Sequence, residues 1–121
     1  MPSEKPLRRL DDILENIARI ERFTAGMTFD GFAANEQAVY ASLHALLIIS
    51  EAARKLAVEA ETLVPSQPWA DIRAIGNVLR HEYDGVDPHT VWRIIASGDL
   101  AVLKKAVGAA VARLRAGQTP R

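Results

Sequence analysis

Residues 76–84 of this chain read GNVLRHEYD, which sets Arg80, His81, Glu82 and Tyr83 side by side just before Gly85. Four adjacent side chains able to give or take protons make either a solvated helix end or a site. An imidazole titrates near neutral pH and can act as acid or base. Arg73, Asn77 and His81 recur at i, i+4 and i+8, so they share roughly one helix face. Ile72, Ile75 and Leu79 form a separate stripe that turns to a core. The polar face can therefore present an imidazole, an amide, a guanidinium and a phenol together. The plainer reading is that His81 and Tyr83 only cap the helix C-terminus, where a cation favours the dipole.

The other polar residues point to less. His44, His81 and His89 include no pair at the i, i+4 spacing that aims two imidazoles at one ion, and no metal or cofactor is expected. Glu51 and Arg54 read as an i, i+3 ion pair. Trp69 and Trp92, each at a helix start among apolar residues, read as core anchors rather than base-stacking platforms. The chain of 121 residues suits one domain, and Lys plus Arg balances Asp plus Glu at 15 each, which argues against a strongly basic nucleic-acid or membrane coat. Without cysteine there is no disulfide framework, thiol nucleophile or thiolate metal site. The charged start MPSEKPLRRLDD has no apolar signal core, and runs such as Ala45 to Ile49 are too short to span a bilayer. A cytoplasmic protein without a membrane segment is the expectation.

The elements that must hold the polar face read as helices throughout. Leu10, Ile13, Leu14, Ile17, Ile20 and Phe23 make an amphipathic stripe that Gly26 stops. Thr28 to Asn35 reads as a connector with a short helical turn that tucks Phe29 and Phe32 inward. Asn35 is a good N-cap for a long central helix running to about Leu63. Pro65 and Pro68 then break the chain, and a third helix is expected from Trp69 to about Tyr83, capped by Gln67 or Ser66. Asp87 as N-cap and Pro88 at the first helical position start another, to Ala96 or Ser97. A last helix runs from Leu100 to about Ala116. The expectation is an all-α, up-and-down bundle of four to five helices, one domain over residues 1–116, with 117–121 a frayed tail.

Three stretches in this order resemble the HepT-like proteins, helical toxins of the HEPN superfamily: LDDILENIARIERFTAG, MTFDGFAANEQAVYASLHALLIISEAARKL and PWADIRAIGNVLRHEYDGVDPHTVWRII. The resemblance covers nearly the whole chain. It implies a HEPN-like bundle that forms a homodimer, with two copies of the motif helix facing each other across a cleft. The implied partner is an MNT-type nucleotidyltransferase antitoxin, and the implied activity is metal-independent cleavage of RNA. In that chemistry the motif histidine moves a proton while the RNA 2′-hydroxyl attacks the adjacent phosphate. A guanidinium suits the phosphate because it stays charged and grips two oxygens at once.

Residue by residue, His81 matches the motif histidine, Tyr83 its tyrosine and Asn77 the asparagine that commonly follows the arginine. The arginine position itself is Gly76. Arg73 and Arg80 are the two candidates to supply the guanidinium, and Gly76 leaves space for Arg80 or for a partner helix. The resemblance also implies Tyr83 as an acceptor of AMP from the antitoxin. Tyr40, inside the central helix, is expected to be a poor acceptor. Three readings stay open here: a ribonuclease toxin, a catalytically silent helical partner that docks a nucleotidyltransferase, and a plain structural dimer with no active site.

Overall fold

Leu10, Ile13, Ile17 and Ile20 all bury on one side of α1 (Glu4–Thr24), as their spacing requires. The computed structural model describes residues 4–81 and 85–118. After α1 the chain turns at Gly26, whose φ of +73° disfavours any side chain. The connector is a short helix, α2 (Phe29–Ala33), which buries Phe32 fully and Phe29 partly. Asn35 caps α3 (Glu36–Leu56), its Oδ1 accepting from the Ala38 N–H at 2.9 Å. This helix is the centre of the bundle: α1 lies along one side of it and the motif helix along another.

The expected continuous helix to Leu63 is corrected. The chain breaks at Ala57 (φ 51°, ψ −134°) and restarts as α4 (Val58–Leu63). No glycine or proline marks this break. It is held from outside, because the Arg73 guanidinium takes the carbonyls of Ala53 and Ala57 at 3.2 and 2.7 Å. Those oxygens then have partners although the helical ladder is interrupted.

The motif helix α5 runs Trp69–Arg80 with His81 as its C-cap. Neither Gln67 nor Ser66 caps it; Pro68 holds the N-cap position and gives no side-chain bond. Its start is fixed instead by Trp69, which is buried and donates from its indole N–H to the Val64 carbonyl at 2.7 Å. The helix ends short of the expected Tyr83, which itself lies outside the described residues. Asp87 and Pro88 open α6 (Pro88–Ala96) as anticipated, the Asp87 carboxylate accepting from the His89 N–H. Gly98, at φ +88°, precedes α7 (Asp99–Gln118). This last helix runs past Ala116 through Gly117 and Gln118, two residues that the sequence assigns to a tail.

Leu103, Val107 and Val111 bury the inner stripe of α7, which packs on α1. Exposed pairs Asp11–Arg115 and Glu21–Lys104, at 2.7 and 2.8 Å, fix the register of the two helices more than they add stability. The fold is all-α and HEPN-like. The expected four to five helices correspond to α1, α3, α5, α6 and α7, with α2 and α4 as short additions. No helix among the described residues is long and apolar enough to cross a membrane.

Candidate functional site

α3 and α5 touch where Ser50 faces Gly76. The enclosed Ser50 hydroxyl donates to the Arg73 carbonyl at 2.9 Å and accepts from the Gly76 N–H at 3.0 Å. A Cβ on residue 76 would stand 2.9 Å from that oxygen, closer than side-chain contacts normally come. Glycine is what lets the two helices approach this far.

The missing side chain also opens room for Arg80. Its Nη2 lies 3.6 Å from where a Gly76 Cβ would be, so the guanidinium folds back one turn over the glycine. Asn77 holds it there, the carboxamide Oδ1 accepting from Nη1 at 2.6 Å. Among the described residues no carboxylate pairs with Arg80. Asn77, Arg80 and His81 fall at i, i+3 and i+4, all exposed, and form one ridge at the end of α5. The structure thus brings an amide and a guanidinium together beside an exposed imidazole.

Arg73 is not part of this group. Its guanidinium turns toward the α3–α4 junction, where Nη1 and Nη2 each lie 2.8 Å from a Glu61 oxygen in addition to the two carbonyl bonds. The hydrogen bonds from Arg73 hold the Glu61 carboxyl below its ordinary range, and the same bonds raise the arginine. A charge already matched by a bidentate carboxylate has little left for a phosphate. Arg73 is a clasp joining α5 to α3 and α4.

Ser50 and Glu61 are the functional neighbours that sequence reasoning missed. Neither has a local signal, since Ser50 acts 23 and 26 residues away and Glu61 acts 12 residues away. Tyr83, expected as an AMP acceptor, lies outside the described residues. Tyr40 lies within the central helix α3, as expected, and is 53% exposed. A groove of about 470 Å³ runs between α5, α6 and α7, with Ile72, Ile75 and Leu103 in its lining and Asp71, Arg93 and Asp99 beside them. Asn77, Arg80 and His81 do not line it; their side chains are exposed elsewhere on the surface.

The sequence model of the family described as "Ribonuclease HepT-like" matches residues 13–110. Among curated proteins, the chain is 34% identical over 98 residues to "Putative RNase MJ1380" of Methanocaldococcus jannaschii, covering 81% of this chain and 89% of that protein. It is 34% identical over 95 residues to "Probable ribonuclease HepT" of Thermococcus cleftensis, covering 78% and 86%. A second protein of M. jannaschii, "Putative RNase MJ0127", is 33% identical over 95 residues, covering 78% of each chain. No solved structure matches the chain.

Proposed function

The chain belongs to the HepT-like ribonuclease family, and on that premise we propose that it is the toxin of a HEPN/MNT toxin–antitoxin pair, cleaving RNA without a metal. The observation that carries this reading is the Arg80 guanidinium lying over Gly76, held by Asn77 and unmatched by any described carboxylate. It offers the charge that the motif arginine would have offered, delivered from one turn further along the helix.

In the proposed reaction the RNA 2′-oxygen attacks the adjacent phosphorus and the bond to the 5′-oxygen breaks, leaving a 2′,3′-cyclic phosphate. His81 of one copy takes the proton from the 2′-hydroxyl, and the partner subunit's His81 returns one to the leaving oxygen. Arg80 stabilises the negative charge that builds on the phosphate oxygens. Asn77 aims that guanidinium. Two features support action as a homodimer. The ridge side chains are exposed, and the outward face of α5 carries Ala70, Ala74 and Val78 at i, i+4 and i+8, all exposed as well. Pairing such faces about a two-fold axis would enclose both ridges.

Silencing is assigned to an MNT-type nucleotidyltransferase that transfers AMP to Tyr83, adding bulk and negative charge beside the phosphate site. Gly76 favours a second reading, in which the chain has lost cleavage and serves as a helical docking partner for the nucleotidyltransferase. The test is expression of the chain alone, in parent and His81→Ala forms, scored for growth arrest and loss of RNA. Arrest by the parent and none by the variant supports the ribonuclease. Equal growth with intact RNA in both supports the silent partner.

A further inference from the structure

The rings on α2 and α6 form a ladder that ends in solvent. Phe32, fully buried, packs against Trp92 at 5.0 Å between centroids, and Trp92 meets Phe29 edge-on at 6.1 Å. Phe29 in turn carries His89, whose ring centroid lies 4.3 Å away at a 38° tilt. The His89 side chain is 76% exposed, so one face of its ring is supported and the other is open. Asp87 fixes it further: one carboxylate oxygen accepts from the His89 backbone N–H at 2.9 Å and lies 3.2 Å from ring Nδ1.

Capping does not explain this ring. The N-cap bond uses the backbone N–H of residue 89, which any residue other than proline supplies. Nor does the core, which stops at Phe32, Phe29 and Trp92. An exposed, clamped aromatic ring is what remains.

We propose that His89, seated on Phe29, is a stacking platform for an unpaired base of the RNA strand. Every base has a π-face, so such a ledge accepts single strands with little regard to sequence. Arg93 stands one turn further along α6, exposed and at i+4 from His89, where it can meet a phosphate next to the stacked base. His89 is eight residues beyond His81, so the chain itself limits their separation to about 28 Å. A strand cut at the ridge can therefore reach the platform. The assignment rests on the ribonuclease reading above and adds to it where the substrate is gripped.

The test uses the full chain carrying His81→Ala, which binds RNA without cutting it, and a fluorescein-labelled single-stranded oligoribonucleotide read by anisotropy. Adding His89→Ala should weaken binding about ten-fold, the effect of losing one stacked base. His89→Phe should restore it, because the ring and not its protons does the work. A duplex of the same sequence should bind both forms alike, its bases being already stacked. Unchanged single-strand binding by His89→Ala, with the parent still cleaving RNA, overturns the platform and leaves the ribonuclease reading intact. Loss in His89→Phe equal to that in His89→Ala also overturns it. If the parent neither binds nor cleaves RNA, both assignments fall together.

Discussion

Adding one methyl group at residue 76 tests the helix contact on which the site reading stands. In an ordinary helix interior, Gly→Ala stabilises by about 1 kcal/mol. Here the new Cβ would sit 2.9 Å from Ser50 Oγ, and only 3.6 Å from Arg80 Nη2. Relief requires the serine to turn away, which breaks its bonds to the Arg73 carbonyl and from the Gly76 N–H. Each is worth about 1 kcal/mol net, and residual overpacking adds roughly 1–3 kcal/mol. Set against the helix gain, Gly76→Ala should destabilise by about 2–4 kcal/mol. In a Ser50→Ala background the oxygen is gone and the nearest remaining Ser50 atom is Cβ, at an ordinary 3.6 Å. The same change should then stabilise by about 1 kcal/mol, so the two sites couple by roughly 3–5 kcal/mol. Urea unfolding of the four proteins at one protein concentration measures this, provided the m-values agree. A parental Gly76→Ala protein that is more stable than the parent refutes the contact.

Arg80→Ala should lower RNA cleavage by about two orders of magnitude with little change in stability, since the residue is exposed and acts on developing charge. Arg73→Ala should do the reverse, costing roughly 1–2 kcal/mol by urea unfolding while cleavage per folded molecule falls less. Because the Glu61 carboxyl is held below its ordinary value near 4.5, its pairing stabilises the fold above that pH and is lost as pH falls through the lowered value; the Arg73→Ala protein should lack this part of the acid sensitivity. Ser42→Ala should stabilise by about 1–2 kcal/mol, because the Ser42 hydroxyl is fully buried with no hydrogen-bond partner among the described residues, and a lower midpoint would show that it has one. With an MNT-type nucleotidyltransferase, ATP and magnesium, intact mass should rise in AMP units for the parent and for Tyr40→Phe but not for Tyr83→Phe; labelling that persists without Tyr83 moves the acceptor to exposed Tyr40.

What the sequence made legible was local chemistry. Asn35 and Asp87 announce helix starts because each satisfies an N–H two or three residues away, and a reader needs only the neighbouring letters. The stripe of α1 is legible for the same reason. The break at Ala57 is not, since AARKLAVEAETL has strong helix formers and neither glycine nor proline. What ends the helix there is a guanidinium from residue 73, supplied only once the chain has folded back. Arg73 meets the same limit: periodicity fixes the helix face on which it stands, and a long side chain can still turn to a carboxylate on another helix. The absence of a side chain at Gly76 leaves space for Arg80 or for a partner helix, and the structure puts the guanidinium over it. That the space also belongs to Ser50 required the packing of α3.

The clasp has a consequence in time. Arg73 closes loops of 12 to 20 residues onto Glu61, Ala57 and Ala53, whereas Asp11 and Arg115 are 104 positions apart. Loop-closure entropy grows as about 1.5 RT ln n, so the longer closure costs about 1.5 kcal/mol more than the 20-residue one. As the chain emerges during synthesis, α3, α4 and α5 can seat against one another while α7 is still being made. The ridge of Asn77, Arg80 and His81 thus stands on a helix tied by the shorter closures, and the longer one, of α7 onto α1, carries the larger entropic cost.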